Sequence, residues 1–149
     1  MSFTAFLSGC NAVCYKKNNK EYGMICAWAT MVDYEKVAML LGSQSATGNN
    51  LQIGDIVGIS ALANNQKNIC DILGNYEVSS KDHNKVKDLT SDEYYYDDNA
   101  ILISNAKTNM VAKVINILKL DSNNDDHFII FEILKKIENK NVKFMAFKE

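Results

Sequence analysis

The sequence predicts a mainly β chain, an antiparallel barrel with short helices set between its strands. Seven or eight stretches of β-forming residues follow one another closely along 149 residues, and only two short stretches carry helical spacing. No long helices alternate with the strands, which argues against a doubly wound sheet and for a barrel. Proline is absent, so Asn and Gly must make the turns.

Phe3 to Leu7 reads as a lead-in, helical or extended. Cys10 to Tyr15 mixes β-formers with small residues and predicts a first strand. Lys16 to Glu21 is a polar turn, and a second strand runs from Tyr22 to about Met31, making a hairpin. That second strand is nearly all apolar without clean alternation, as for a strand with little solvent exposure. Asp33 to Lys36 breaks the pattern, and Val37 to Leu41 is a third strand ending at Gly42. Gly48 to Ile53 fits a short helix capped by Thr47 or a neighbour. Ile56 to Leu62 is a fourth strand. Ile69, Ile72 and Leu73 then lie at helical spacing, with Gly74 placed as a C-cap.

Val78 to Tyr96 is polar and weakly periodic, a surface excursion with one helical turn over Lys85 to Leu89. Strands follow at Ala100 to Ser104, Asn109 to Leu120 and His127 to Lys136. In the middle one, strict alternation sets Met110, Ala112, Val114, Asn116 and Leu118 on one face. Asp121 to Asp126 is a polar hairpin loop, and Val142 to Phe147 fits a final edge strand. No internal repeat or linker divides the chain, so residues 1–149 are expected to form one domain.

Composition narrows the function. A formal charge of -2, with both signs scattered, lacks the clustered Lys and Arg of a nucleic-acid or anionic-membrane footprint. No apolar run approaches the roughly 20 residues of a membrane span. The start Met1-Ser2-Phe3-Thr4 lacks a signal-peptide pattern, so a cytoplasmic protein is expected. Cys10, Cys14, Cys26 and Cys70 include no C-x-x-C pair, and with two histidines no metal site is expected. They read as small buried hydrophobes, with Cys10 and Cys14 on one side of a strand.

Two stretches carry candidate chemistry. In Gly23-Met24-Ile25-Cys26-Ala27-Trp28-Ala29-Thr30, small residues flank the single tryptophan and leave room for a planar ring, although a core tryptophan fits the same pattern. Ser43, Ser45 and Thr47 precede a candidate helix, where hydroxyls and free N–H groups suit an anion; simple helix capping fits as well. His127 starts a strand after an Asp-Asp pair and would sit at a barrel mouth as a proton donor, a substrate contact or a surface residue. No nucleophile elbow, Walker loop or dinucleotide fingerprint is present.

The order of these motifs resembles the flavin reductase-like, FMN-binding split-barrel family over nearly the whole chain. Tyr22 to Val32 is similar to the family's tryptophan strand, and Leu41 to Thr47 to its Ser/Thr-rich phosphate loop. Gly54 to Leu62, with Gln66 and Gly74, resembles the next strand and helix. Ser79 to Val86 resembles a polar Arg-Asp-x-Asp-Lys stretch, and Asp126 to Ile133 a Gly-Asp-His strand. Ile25 stands where the family often carries threonine.

The resemblance implies a Greek-key split barrel and a homodimer with FMN (or FAD) near the subunit interface. It implies that Ser43, Ser45 and Thr47 take the phosphate and that Cys26, Ala27, Trp28, Ala29 and Thr30 line the isoalloxazine. Asn64 and Lys85 are further contacts for the ribityl chain or phosphate, and His127 is the candidate catalytic residue. The implied activity is an NAD(P)H-dependent flavin reductase, hydride passing from nicotinamide to flavin N5 and on to an acceptor. An FMN-binding electron carrier reduced by a redox protein, or a barrel without cofactor, are the alternatives.

Overall fold

The first turn of the chain is made by Asn18 and Asn19, whose φ angles of 53° and 64° form the left-handed pair of a two-residue hairpin. They join β1 (Asn11–Lys17) to β2 (Lys20–Cys26), paired from Asn11↔Cys26 to Lys17↔Lys20. The turn is therefore shorter than the Lys16 to Glu21 expected, because two asparagines suffice and the flanking lysines join the ladder. The computed structural model describes residues 6–41, 46–75, 84–121 and 124–146, with side chains described except at 120, 121 and 124–126.

The long second strand expected from Tyr22 to Met31 is two strands. β2 ends at Cys26, the chain turns a corner at Ala27-Trp28, and β3 (Ala29–Asp33) begins beyond it. The corner is tight, with the Ala29 N–H bonded to the Ala27 carbonyl at 3.2 Å. An apolar run without alternation cannot announce such a break, since no polar residue marks it.

β3 pairs with β4 (Lys36–Leu41), β4 with β9 (Asn124–Glu138), and β9 with β8 (Thr108–Asp121). β8 pairs with β5 (Ile56–Ala61), and β5 with β1, whose other edge holds β2. This antiparallel sheet curls around an inner core of Val13, Tyr15, Cys26, Met39, Leu41, Val57, Ile59, Val114, Ile129 and Phe131. Among the described residues no ladder closes it. β2 and β3 leave the same corner on different neighbours, and the gap between them is the split of the barrel.

β6 (Tyr94–Asp97) and β7 (Ala100–Ile103) extend the sheet beyond β1. β6 falls within the stretch expected as a surface excursion, where three tyrosines are β-formers with polar neighbours. β7 crosses β5 at Gly58, where a Cβ would stand 2.1 Å from the Ile101 carbonyl oxygen; only glycine fits there.

A second core covers the outer face of β1, as the shared side of Cys10 and Cys14 anticipated. Cys10, Ala12 and Cys14 pack with Ile69 and Leu73 of α2 (Lys67–Leu73), Ile101 and Ile103 of β7, and Val86 and Leu89. Val86 lies on a 3₁₀ turn (Lys85–Asp88) whose first half, Lys85 and Val86, is buried over Gly23, while Lys87 and Asp88 stay at the surface as expected of this stretch. α1 (Ala46–Asn49) is a single turn that includes Thr47 instead of being capped by it. The chain leaves it at Asn50, held there by the Lys17 ammonium on the Asn50 carbonyl (2.8 Å) and the Asp55 carboxylate (2.7 Å).

Strict alternation in β8 fails between Val114 and Asn116, where the register shifts by a bulge. Ile117 therefore joins the inner core opposite Ile129, while Asn116 and Leu118 move to the outer face. The final edge strand expected over Val142 to Phe147 is reduced to two isolated bridges, Ala63↔Phe144 and Gly9↔Ala146. Among the described residues no helix is long and apolar enough to cross a membrane.

Candidate flavin site at the barrel split

The corner between β2 and β3 gathers four strand ends. Asn11 starts β1 and pairs with Cys26 at the end of β2, its side-chain amide donating to the Cys26 carbonyl at 3.1 Å. The Trp28 carbonyl accepts the Leu40 N–H at 3.0 Å, which ties the corner to the end of β4. Leu41 then pairs with His127 near the start of β9. Asn11 and Leu40 carry no chemical signature of this role in the sequence; only the register exposes it.

Trp28 is not a core residue. Its side chain is 65% exposed at this rim. Ala29 is half-buried against the inner core, while Thr30, Met31 and Val32 are exposed, because β3 runs away from the barrel beside β4 alone. Cys26 is buried at 3% exposure, and burial pushes its thiol up to about 12, so it stays S–H at neutral pH. Ile25 points to the other face, against Gly74 in the second core.

His127 stands three residues inside β9 rather than at its start. Leu41 and Ile129 both face the inner core, so strand periodicity puts His127 on that face at the rim. Its Nδ1 is buried with no hydrogen-bond partner among the described residues, and Lys119 lies opposite on β8. Asn64 belongs to the same end of the barrel: it follows β5, whose Ala61 pairs with Asn11, and its N–H bonds the Lys143 carbonyl.

The other candidates lie further along β2. Thr47 is buried on α1, which packs against β2, and its carbonyl accepts the Tyr15 hydroxyl at 2.6 Å. Tyr15 pairs with Tyr22, four residues from Cys26 and hence about 13 Å along the strand. Lys85 is buried beside the middle of β2 on its other face, its ammonium 3.3 Å from the Leu73 carbonyl. Burial lowers its pKa. Ser43 and Ser45 lie outside the described residues. Two polar cavities, of about 220 and 260 Å³, are elsewhere, beside α2 and beside the β1–β2 turn.

No protein-family model matches the chain, and no characterised protein matches it by sequence. Solved structures match it by fold. An NADH:FAD oxidoreductase of Streptomyces globisporus superposes with a TM-score of 0.80 at 14% identity, over 95% of this chain and 82% of that one. Flavoredoxin of Methanosarcina acetivorans gives 0.76 at 12% identity, over 98% and 88%. The styrene monooxygenase flavin reductase of Pseudomonas putida S12 gives 0.72 at 14%, over 91% and 82%. The chain therefore has the flavin reductase-like, FMN-binding split-barrel fold, mainly β and antiparallel.

Proposed function

We propose that this chain is a single-domain flavin-binding oxidoreductase, with FMN as the preferred flavin and NAD(P)H as the reductant. The observation that carries the reading is the exposed Trp28 ring at the corner where the split opens, with His127 on the same rim. The solved Streptomyces relative holds NAD and FAD fragments on the same fold at 15% identity, which supports the class of ligand.

The residues present fit such a group. Trp28 offers an apolar ring face, the Cys26 to Thr30 backbone borders it, and His127 keeps a buried ring nitrogen without a partner among the described residues. In this reading an elongated ligand lies along β2 from Cys26 towards Tyr22, its phosphate end taken by Ser43, Ser45 and Thr47, with Asn64 as a further contact; Lys85, buried on the other face of β2, is left out of it. Bound flavin supplies the chemistry, accepting hydride from a nicotinamide and releasing electrons to an acceptor. The chain's own residues bind and orient: Trp28 excludes water from one ring face, and His127 holds a proton at Nδ1 or accepts one there.

The protein acts as a homodimer in this reading. Ala38 and Leu40 of β4, Phe128 and Ile130 of β9, and Leu118 of β8 share the outer face of the sheet. That face is apolar beside the rim, and a second copy covers it and completes the site. Ile130→Glu should convert the dimer to monomer in sedimentation and weaken flavin binding with it; a wild-type monomer would remove the dimer from the proposal. Purified protein should be yellow or quench added FMN, and should oxidise NADH or NADPH when flavin is supplied. A colourless protein that leaves flavin fluorescence unchanged would falsify the reading. Flavin binding without turnover on either nucleotide would assign an electron carrier instead.

A further inference from the structure

Among the described residues no ladder closes the barrel at its split, and the Cys26 side chain stands across the gap. Cys26 is the last residue of β2, and its Sγ lies 3.3 Å from the Trp28 carbonyl oxygen and 3.4 Å from that of Leu40 in β4. The Trp28 carbonyl also accepts the Leu40 N–H at 3.0 Å. β2 itself pairs only with β1, so among the described residues the thiol joins its end to β4 where no strand pairing does. We infer that Cys26 is a clasp: its S–H, reaching from the end of β2 across the split to the Trp28 and Leu40 carbonyls, holds the end of β2 and the Trp28 corner against β4.

The chemistry of the position supports a thiol in this role. Buried carbonyls without a donor are costly, and the Cys26 thiol supplies one to the Leu40 oxygen at 3.4 Å. A hydroxyl would donate more strongly but resist burial more; a thiol is small and apolar enough for the inner core that Cys26 also joins. Burial keeps the group protonated, as donation requires. Cys14 is buried as deeply but belongs to the second core, away from the split, so depth alone does not make a clasp.

The clasp follows from the geometry of the chain; what the positioned corner serves rests on the flavin reading above. Cys26→Ala and Cys26→Ser differ by one hydroxyl and separate donor from packing. The alanine variant should exchange the Leu40 amide about tenfold faster, and its single tryptophan should become more accessible to acrylamide. The serine variant should return both values to within about threefold of wild type. Equal behaviour of the two variants, or wild-type exchange at Leu40 in the alanine variant, would overturn the clasp. If the alanine variant does not fold, Cys26→Val against Cys26→Thr makes the same comparison with near-isosteric side chains. FMN titration of the same proteins tests the positioning role. Binding about tenfold weaker in the alanine variant and recovered in the serine variant supports it, and equal affinities in a wild type that binds would overturn it. A wild type that binds no flavin removes the flavin reading, while the exchange comparison still decides the clasp.

Discussion

β3 and β4 are partners in one hairpin with similar apolar content, yet they live in different surroundings. Val37, Ala38, Met39 and Leu41 of β4 are all buried to 4% exposure or less, while Met31 and Val32 of β3 are more than half exposed. The difference arises at one corner. β4 is flanked by β9 and roofed by the inner core, whereas β3 has β4 on one edge and nothing described on the other. The lesson is that apolar residues at a barrel split are not spent on the core of their own chain. They are left available, and Trp28 is the first of them.

Substitutions can break or sharpen this contrast. The largest effect is expected at the covered end of it. Phe131→Ala on β9 opens the inner core and should cost about 3–5 kcal/mol in urea unfolding, whereas Met31→Ala, on the same face but on β3, should cost under about 1 kcal/mol. Comparable losses for both would mean that β3 is covered after all. At the exposed corner the effect should move from stability to binding. Trp28→Ala should leave the melting temperature nearly unchanged and weaken FMN binding about tenfold, or about 1.4 kcal/mol, by fluorescence titration.

A smaller and more distributed effect depends on pH. Burial holds the Cys14 and Cys26 thiols up at about 12, against an ordinary 9.0. The folded state therefore keeps protons that the unfolded chain loses, and stability is complete below about pH 9 and falls as pH rises toward 12. Thermal melts across that range should show the decline, and Cys14→Ala should make it shallower. A flat profile would mean that these thiols meet solvent. The smallest effect is expected at the far end of the barrel. Asp55→Asn removes the partly exposed Lys17–Asp55 pair (2.7 Å) and should cost about 0.5–1 kcal/mol in urea unfolding.

Much of this was legible in the chain itself. The strands β1, β4, β5, β7, β8 and β9 follow from apolar runs bounded by Asn, Gly and Asp, and α2 follows from Ile69, Ile72, Leu73 and Gly74. Periodicity and turn chemistry are local, and these elements obey them. The division of β2 from β3 was hidden because Ala27 and Trp28 look no different from strand residues. The bulge before Asn116 was hidden because a bulge costs one residue and leaves no mark in composition.

Residues alone determined that this chain would be a mostly antiparallel β protein with two candidate site segments, Cys26 to Thr30 and Ser43 to Thr47. They did so because alternation, small flanking residues and hydroxyl spacing are properties of neighbours in sequence. Tertiary structure decided where those segments face. It set Trp28 outside the core and His127 on the inner rim, and it stretched the Cys26 thiol between two strands. The physical reason is that a split barrel is defined by the pairing it omits. Which edge goes unpaired depends on every other strand in the sheet, and no local pattern encodes it.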